Sequence, residues 1–307
     1  MTLHTQTVRS HDGVNLHVVT LGQPERPAIV CVHGYPDNHQ VWLPVAERLA
    51  QDYFVVLYDV RGAGQSDRPS RIRDYQLPTL AKDLEAVVAA TLPHRTFHLV
   101  AHDWGSIQTW ESVTGDALNG KILSYTTLSG PSLDHAAMWM RARLGSWSLA
   151  RQRQAFKQIV SSWYIAAFQL PVFAPMVWQL GLGKLWPQYL AWREGVTEPH
   201  PNATQTADGR YGVQLYRANF IPRLLNPKPR KATCPVQLIV LRQDAYVNDT
   251  LFADLHQWVD QLYRRDLDAT HWAILSQPSQ LAGWISEFVD RSEEHTSELQ
   301  SRSAISY

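Results

Sequence analysis

The sequence predicts an α/β protein, a mostly parallel sheet of eight strands interrupted by one helical insert. Two observations carry this reading. Short β-rich apolar runs alternate with helical stretches in the first and last parts of the chain, the pattern of parallel strands covered on both faces. Between about Leu133 and Leu225 the alternation stops, and the chain becomes helical, aromatic and interrupted by prolines.

Taken in order, Thr5–Arg9 and Val14–Thr20 flank the turn His11-Asp12-Gly13 and form the opening strands. Three compact apolar runs follow, Ala28–Val32, Phe54–Tyr58 and Phe97–Ala101, separated by helices near Val41–Ala50 and Leu80–Leu92. Ile122–Leu128 is the sixth strand. The insert carries Trp139, Trp147, Trp163, Trp178, Trp186 and Trp192, with prolines at 171, 175, 187, 199 and 201. The α/β pattern resumes with Val236–Leu241, a helix near Thr250–Val259, a strand near Tyr263–Leu267 and a last helix over Pro278–Val289. The expected division is a core of residues 1–132 and 226–290, a helical lid over 133–225, and a disordered tail over 291–307.

Composition narrows the function. The 307 residues carry 28 basic and 28 acidic side chains, with no charge block suited to nucleic acid. Two cysteines, Cys31 and Cys234, exclude a disulfide framework. No secretory leader pattern and no bilayer-length apolar run is present, so a soluble cytoplasmic protein is expected. There is no cysteine–histidine zinc spacing and no phosphate loop, and the glycines of Arg61-Gly62-Ala63-Gly64 do not fit a dinucleotide fingerprint. No metal or organic cofactor is expected.

The chemistry centres on His98-Leu99-Val100-Ala101-His102-Asp103-Trp104-Gly105-Ser106. A strand passes through small residues into a helix, the setting of a nucleophile elbow. Ala101 replaces the first glycine of that motif, and Asp103 holds the nucleophile position. The turn exposes the Asp103 side chain at the edge of the sheet and aims the Trp104 N–H at a reacting oxygen. A carboxylate suits displacement at a saturated carbon bearing a leaving oxygen or halide. The product is an ester that water must then cleave.

Other groups fall where that chemistry needs them. His33-Gly34-Tyr35-Pro36 follows the third strand, where Tyr35 supplies a second N–H for the oxyanion. Asp59–Asp67 is a glycine-rich loop with a structural role. Asp244 follows Val236–Leu241, and His271 follows the last strand. Acid then histidine is the required chain order, with Asp244 orienting His271 and His271 activating water.

Together HGYP, DVRGAGQSD, AHDWGS, QDAYV and THW resemble the epoxide hydrolase and haloalkane dehalogenase branch of the α/β-hydrolase fold, over nearly all of residues 1–290. The resemblance implies two lid tyrosines that protonate an epoxide oxygen. They match Tyr164, in Tyr164-Ile165-Ala166-Ala167-Phe168-Gln169-Leu170-Pro171, and Tyr216, in Leu215-Tyr216-Arg217-Ala218-Asn219. It therefore implies opening of a small apolar epoxide to a diol through an Asp103 ester.

Two rivals remain open. In a haloalkane dehalogenase the same Asp103, Asp244 and His271 act while the Trp104 indole holds the halide. Tyr35 stands where dehalogenases more often carry asparagine, and the stretch after Asp103 lacks the arginines of fluoroacetate-type enzymes. The second rival is a non-catalytic fold that binds an apolar ligand.

SYTTLSGPSLDH, LYRAN and AHDWGS further resemble the hydrolase half of fusion proteins with a downstream short-chain dehydrogenase domain. That likeness implies lipid-type substrates and a missing C-terminal dehydrogenase domain. The stretch RSEEHTSELQS resembles a translated sequencing adapter, which fits a gene cut near residue 290.

Overall fold

The computed structural model describes residues 2–197 and 202–304, with side chains up to residue 294. Pro199 and Pro201 of the insert and the last three residues of the tail lie outside the described residues.

The chain opens with β1 (His4–Arg9), β2 (Asn15–Leu21) and β3 (Ala28–Val32), then α1 (Leu43–Leu49), β4 (Phe54–Tyr58) and α2 (Leu77–Thr91). Next come β5 (Phe97–His102), α3 (Trp104–Val113) and β6 (Ile122–Leu128). The insert holds α4 (Leu133–Leu144), α5 (Leu149–Ser161), α6 (Trp163–Gln169), α7 (Phe173–Val177), a π-helical turn at Trp178–Leu182, α8 (Gly183–Glu194) and α9 (Gln205–Leu225). The chain then forms β7 (Val236–Leu241), β8 (Leu262–Leu267), α10 (Ala273–Ser276) and α11 (Pro278–Ala304).

The eight strands form one sheet in the order β1-β2-β4-β3-β5-β6-β7-β8. β1, β2 and β4 pair antiparallel, and every pair from β4 to β8 is parallel. The expected eight-stranded, mostly parallel sheet is the observed one. The central strands β3, β4, β5 and β7 are buried along their whole length, which is why they read as unbroken apolar runs rather than alternations.

Chain direction across the sheet reverses at β3. The step from β3 to β4 runs one way, and the step from β4 over β3 to β5 runs the other. Right-handed crossovers then place α1 and α2 on opposite faces; α1 packs with α11, and α2 with α3. Such a reversal opens a crevice at the C-terminal ends of the strands. Val32 of β3 pairs with Ala101 of β5, so the loops holding Tyr35 and Asp103 leave the sheet side by side. Leu241 pairs with Leu267, so those holding Asp244 and His271 do too.

Two expectations are corrected. Residues 250–259 are not an α-helix but two 3₁₀ turns, Asp249–Phe252 and Leu255–Gln257. Each turn buries one side chain, Phe252 in the first and Leu255 in the second.

The tail after residue 290 is not disordered over its described part, because α11 runs on to Ala304. Ser292 is buried and donates to the Phe288 carbonyl at 2.8 Å. Glu293 lies 2.9 Å from Nε2 of the buried His98 in β5. Apolar periodicity ends near Val289, but no proline or glycine follows to stop the helix.

Removing residues 292–307 should therefore cost stability. A partly exposed ion pair and one hydrogen bond are together worth about 1 kcal/mol, or roughly 2 °C of thermal midpoint for a chain of this size. Scanning calorimetry of the truncated chain checks this, and an unchanged midpoint would show that the helix end contributes nothing.

Candidate active site

Asp103 sits between β5 and α3 with φ 53° and ψ −124°, a backbone conformation that non-glycine residues rarely adopt. Close packing around it requires glycine. A Cβ at Gly105 would lie 2.1 Å from the Val32 carbonyl oxygen, and one at Gly34 would lie 2.4 Å from Asp103 Oδ1. The loop after β3 thus presses directly on the elbow. Ala101, at the position of the motif's first glycine, is simply a buried strand residue.

The Tyr35 N–H donates to Asp103 Oδ1 at 2.7 Å. Trp104 is the first residue of α3, so its N–H belongs to the helix start, where backbone donors lack intrahelical acceptors. The Tyr35 amide lies at the Asp103 carboxylate, and the positive end of α3 favours negative charge there.

On the other side, Asp103 Oδ2 is 3.5 Å from His271 Nε2, and His271 Nδ1 is 2.9 Å from Asp244 Oδ2. Asp244 is held in turn, because its Oδ1 accepts the Tyr246 and Val247 N–H groups at 2.8 and 3.1 Å. Burial pushes the His271 pKa down. The Asp244 charge and the hydrogen bonds to Asp103 and Asp244 outweigh it and hold the imidazole well above its ordinary value. Asp244 is shifted the other way. Burial raises its pKa, but the His271 charge and hydrogen bond bring it below the ordinary carboxylate value. Asp244 and Asp103 thus both favour the protonated form of His271.

Tyr164 on α6 and Tyr216 on α9 face each other edge to face, with ring centroids 6.0 Å apart. Burial, then the nearby charge of Asp103, raises the Tyr164 pKa. Burial, then Tyr164 and Asp103, raises that of Tyr216, so both hydroxyls stay protonated. Arg217 fixes their spacing by donating from α9 to the Phe168 carbonyl at 2.7 Å and to the Leu170 carbonyl at the end of α6. Asn219 anchors α9 to the core, accepting from the Leu77 N–H at 2.9 Å and donating to the Tyr75 carbonyl at 2.8 Å. The Tyr216 ring rests on Trp104, 4.8 Å away. Asp103, Trp104, Tyr164 and Tyr216 line one cavity of about 760 Å³, whose remaining walls are mostly apolar.

The Asp59–Asp67 loop is structural. Arg61 is buried and pairs with Asp83 at 2.6 Å and Asp12 at 2.8 Å, and Asp59 accepts the His39 N–H at 2.8 Å.

Three contributors escaped the sequence reading. Tyr246 lines the cavity with its ring 4.9 Å from that of His271 and its hydroxyl on that of Tyr189. Gln158 on α5 holds the loop after β7 through Asn248 and the Tyr246 carbonyl. Asp37 accepts the Trp272 indole N–H at 2.9 Å, joining the loop after β3 to the one that carries His271. Tyr246 and Asp37 stand beside recognised motifs, but chain proximity says nothing about where their side chains point.

The chain belongs to the alpha/beta hydrolase fold family, whose model matches residues 27–278. Its relatives narrow the likeness. It is 33% identical over 292 residues to the "Probable oxidoreductase EphD" of Mycobacterium tuberculosis, an alignment covering 93% of this chain but 49% of that protein. The chain thus spans about half the length of this curated relative. It is 25% identical to "Epoxide hydrolase 3" of Xenopus tropicalis over 300 residues, 90% of this chain and 75% of that one. A Bacillus megaterium epoxide hydrolase solved with an inhibitor has a similar fold, with a TM-score of 0.75 at 21% identity, over 93% of this chain and all of the other.

Since Asp103 supports the imidazolium, Asp103→Asn should lower the His271 pKa. Histidine titration by NMR on wild type and variant measures this, and coincident curves would refute the coupling.

Proposed function

We propose that the protein hydrolyses epoxides to vicinal diols through a covalent ester on Asp103. One observation carries the reading: a carboxylate at the elbow faces two protonated tyrosines across an apolar cavity, with a histidine–carboxylate pair directly behind it. The relatives named epoxide hydrolase support the same reaction class. Residues 133–225 act as the lid that supplies the tyrosines, and residues 1–132 and 226–290 act as the core.

Tyr164 and Tyr216 hydrogen-bond the epoxide oxygen. Asp103 attacks a ring carbon, the C–O bond breaks, and one tyrosine gives its proton to the departing alkoxide. Esterification removes the Asp103 charge, one of the supports of the His271 imidazolium. The imidazolium proton then passes to the tyrosinate, a strong base in this buried setting. His271 is left neutral at the step that needs a base. Held by Asp244, it takes a proton from water, and the hydroxide attacks the Asp103 ester carbonyl. The Tyr35 and Trp104 N–H groups stabilise the oxyanion. Collapse releases the diol and restores the carboxylate and the imidazolium, so the cycle closes with one water consumed.

The tyrosines favour an epoxide over a haloalkane. An alkoxide needs a proton to leave, whereas a halide needs hydrogen-bond donors alone. General acid catalysis is worth roughly 10²–10⁴-fold. Tyr164→Phe and Tyr216→Phe should each slow ester formation, and the double variant should lose an effect of about that size. Single-turnover kinetics with styrene oxide measures this. A double variant as fast as wild type removes the tyrosines from the mechanism, and halide release without epoxide opening replaces the reaction.

His271→Gln should trap the intermediate, because ester formation does not use His271 as a base. Intact-mass spectra should show enzyme plus one substrate, with the added mass on the Asp103 peptide. A spectrum of free enzyme alone, under conditions where wild type turns over, would remove the ester.

A further inference from the structure

One helix of the insert, α5, carries its large apolar side chains on the outside. On α5, Leu149, Phe156 and Val160 are exposed, as is Trp163 just beyond it. Spacings of seven, four and three residues put these four on one side at 3.6 residues per turn. The buried residues of α5 are Ala155 and Gln158, on the opposite side. The next elements bury Ala174, Trp178, Trp186 and Leu190, yet also leave Phe173, Met176 and Leu180 exposed along α7 and the following turn, and Leu185 and Trp192 exposed along α8. Trp163 is 70% exposed and Trp192 82%. A monomer surface in water rarely leaves so many large apolar side chains exposed on one insert without a partner.

Charge says what kind of partner. Among residues 133–197 the exposed charged side chains are Arg141, Arg151, Arg153, Lys157, Lys184 and Arg193. The acidic residues of that stretch, Asp134 and Glu194, are both buried. A chain with balanced charge overall therefore exposes only basic charges, beside the apolar side chains, over residues 133–197. Two copies joined through this face would set like charges against each other. The cavity gives the third observation. Its walls include Ile159, Val160, Trp163, Ile221 and Leu224, all exposed, so its mouth opens within the same face. A protein seated there would cover the mouth, whereas a fluid layer of amphiphiles would not.

We propose that this face docks on an anionic phospholipid membrane, with the apolar side chains among the acyl chains, the arginines and lysines at the headgroups and the cavity mouth turned to the lipid. No single helix among the described residues is long and apolar enough to cross a membrane, and the face has the make-up of one lying in the interface plane.

Co-sedimentation of the full chain with vesicles tests this without any substrate, so the outcome is independent of the epoxide reading. Wild type should bind vesicles of phosphatidylcholine mixed with phosphatidylglycerol. Binding should fall about tenfold or more on phosphatidylcholine alone and weaken with added salt. The triple variant Leu149→Ser, Phe156→Ser, Trp192→Ser should lose about tenfold, and so should the pair Arg153→Glu, Lys157→Glu. These side chains face solvent, so circular dichroism should stay unchanged; if the triple variant unfolds, the charge pair decides. Failure of wild type to bind the mixed vesicles overturns the proposal, as does equal binding by a folded variant. A wild-type dimer in analytical ultracentrifugation that the triple variant dissociates would assign the face to a second copy and overturn it too.

Discussion

The site depends on one strained residue. Asp103 is held in a backbone region that costs about 1–3 kcal/mol for a side-chain-bearing residue. Its N–H donates to the Leu128 carbonyl at 3.0 Å, and its carbonyl accepts the Ile107 N–H at 2.9 Å. Ser106 Oγ donates to the Ala101 carbonyl at 2.6 Å from below. β5, β6 and α3 thus fix the turn from three sides. A relaxed turn would withdraw the carboxylate from the Tyr35 amide and from His271 together, because both partners sit on other loops. Strain at this one residue is what brings the carboxylate within reach of groups from other strand ends.

Charge is confined to the same small region. Asp244, His271 and Asp103 form one row, and burial shifts the titratable groups beside it toward their neutral forms. Burial, then the His271 charge, lowers the His102 pKa to about 4, and His102 donates to the His271 carbonyl at 2.9 Å. Burial raises the Asp37 pKa to about 7, against the Trp272 hydrogen bond. A second fixed carboxylate or imidazolium here would compete with Asp103 for His271.

The sheet and the Asp103–His271–Asp244 row were legible for a common reason. Buried parallel strands leave short β-branched runs, and the residues just after such runs all emerge at one edge. Chain order then picks out Asp244 and His271 with no contact information. The two tyrosines were not legible in that way. Each lies on a helix of an aromatic-rich insert, and a likeness to known segments was needed to single them out. Tyr246, Gln158 and Asp37 left no signal, because each acts through where its side chain points across loops. The end of α11 was misjudged because apolar periodicity reports burial, and that helix continues past its last buried apolar turn.

The insert shows a further limit of periodicity. A stripe of apolar residues on a helix says that one side differs from the other, and not which side faces the core. On α5 the inward residues are Ala155 and Gln158, and the Gln158 amide bonds the Asn248 side chain at 2.9 Å and the Tyr246 carbonyl at 3.1 Å. A polar residue faces in because it must satisfy backbone groups of the loop after β7, and a buried amide with partners costs far less than one without. That loop also presents Asp244 to His271. The apolar stripe is left on the outside, at the mouth of the cavity. The helix that steadies the loop after β7 is thus the same one that sets the chemistry of the entrance, and neither side of it can be changed without reference to the other.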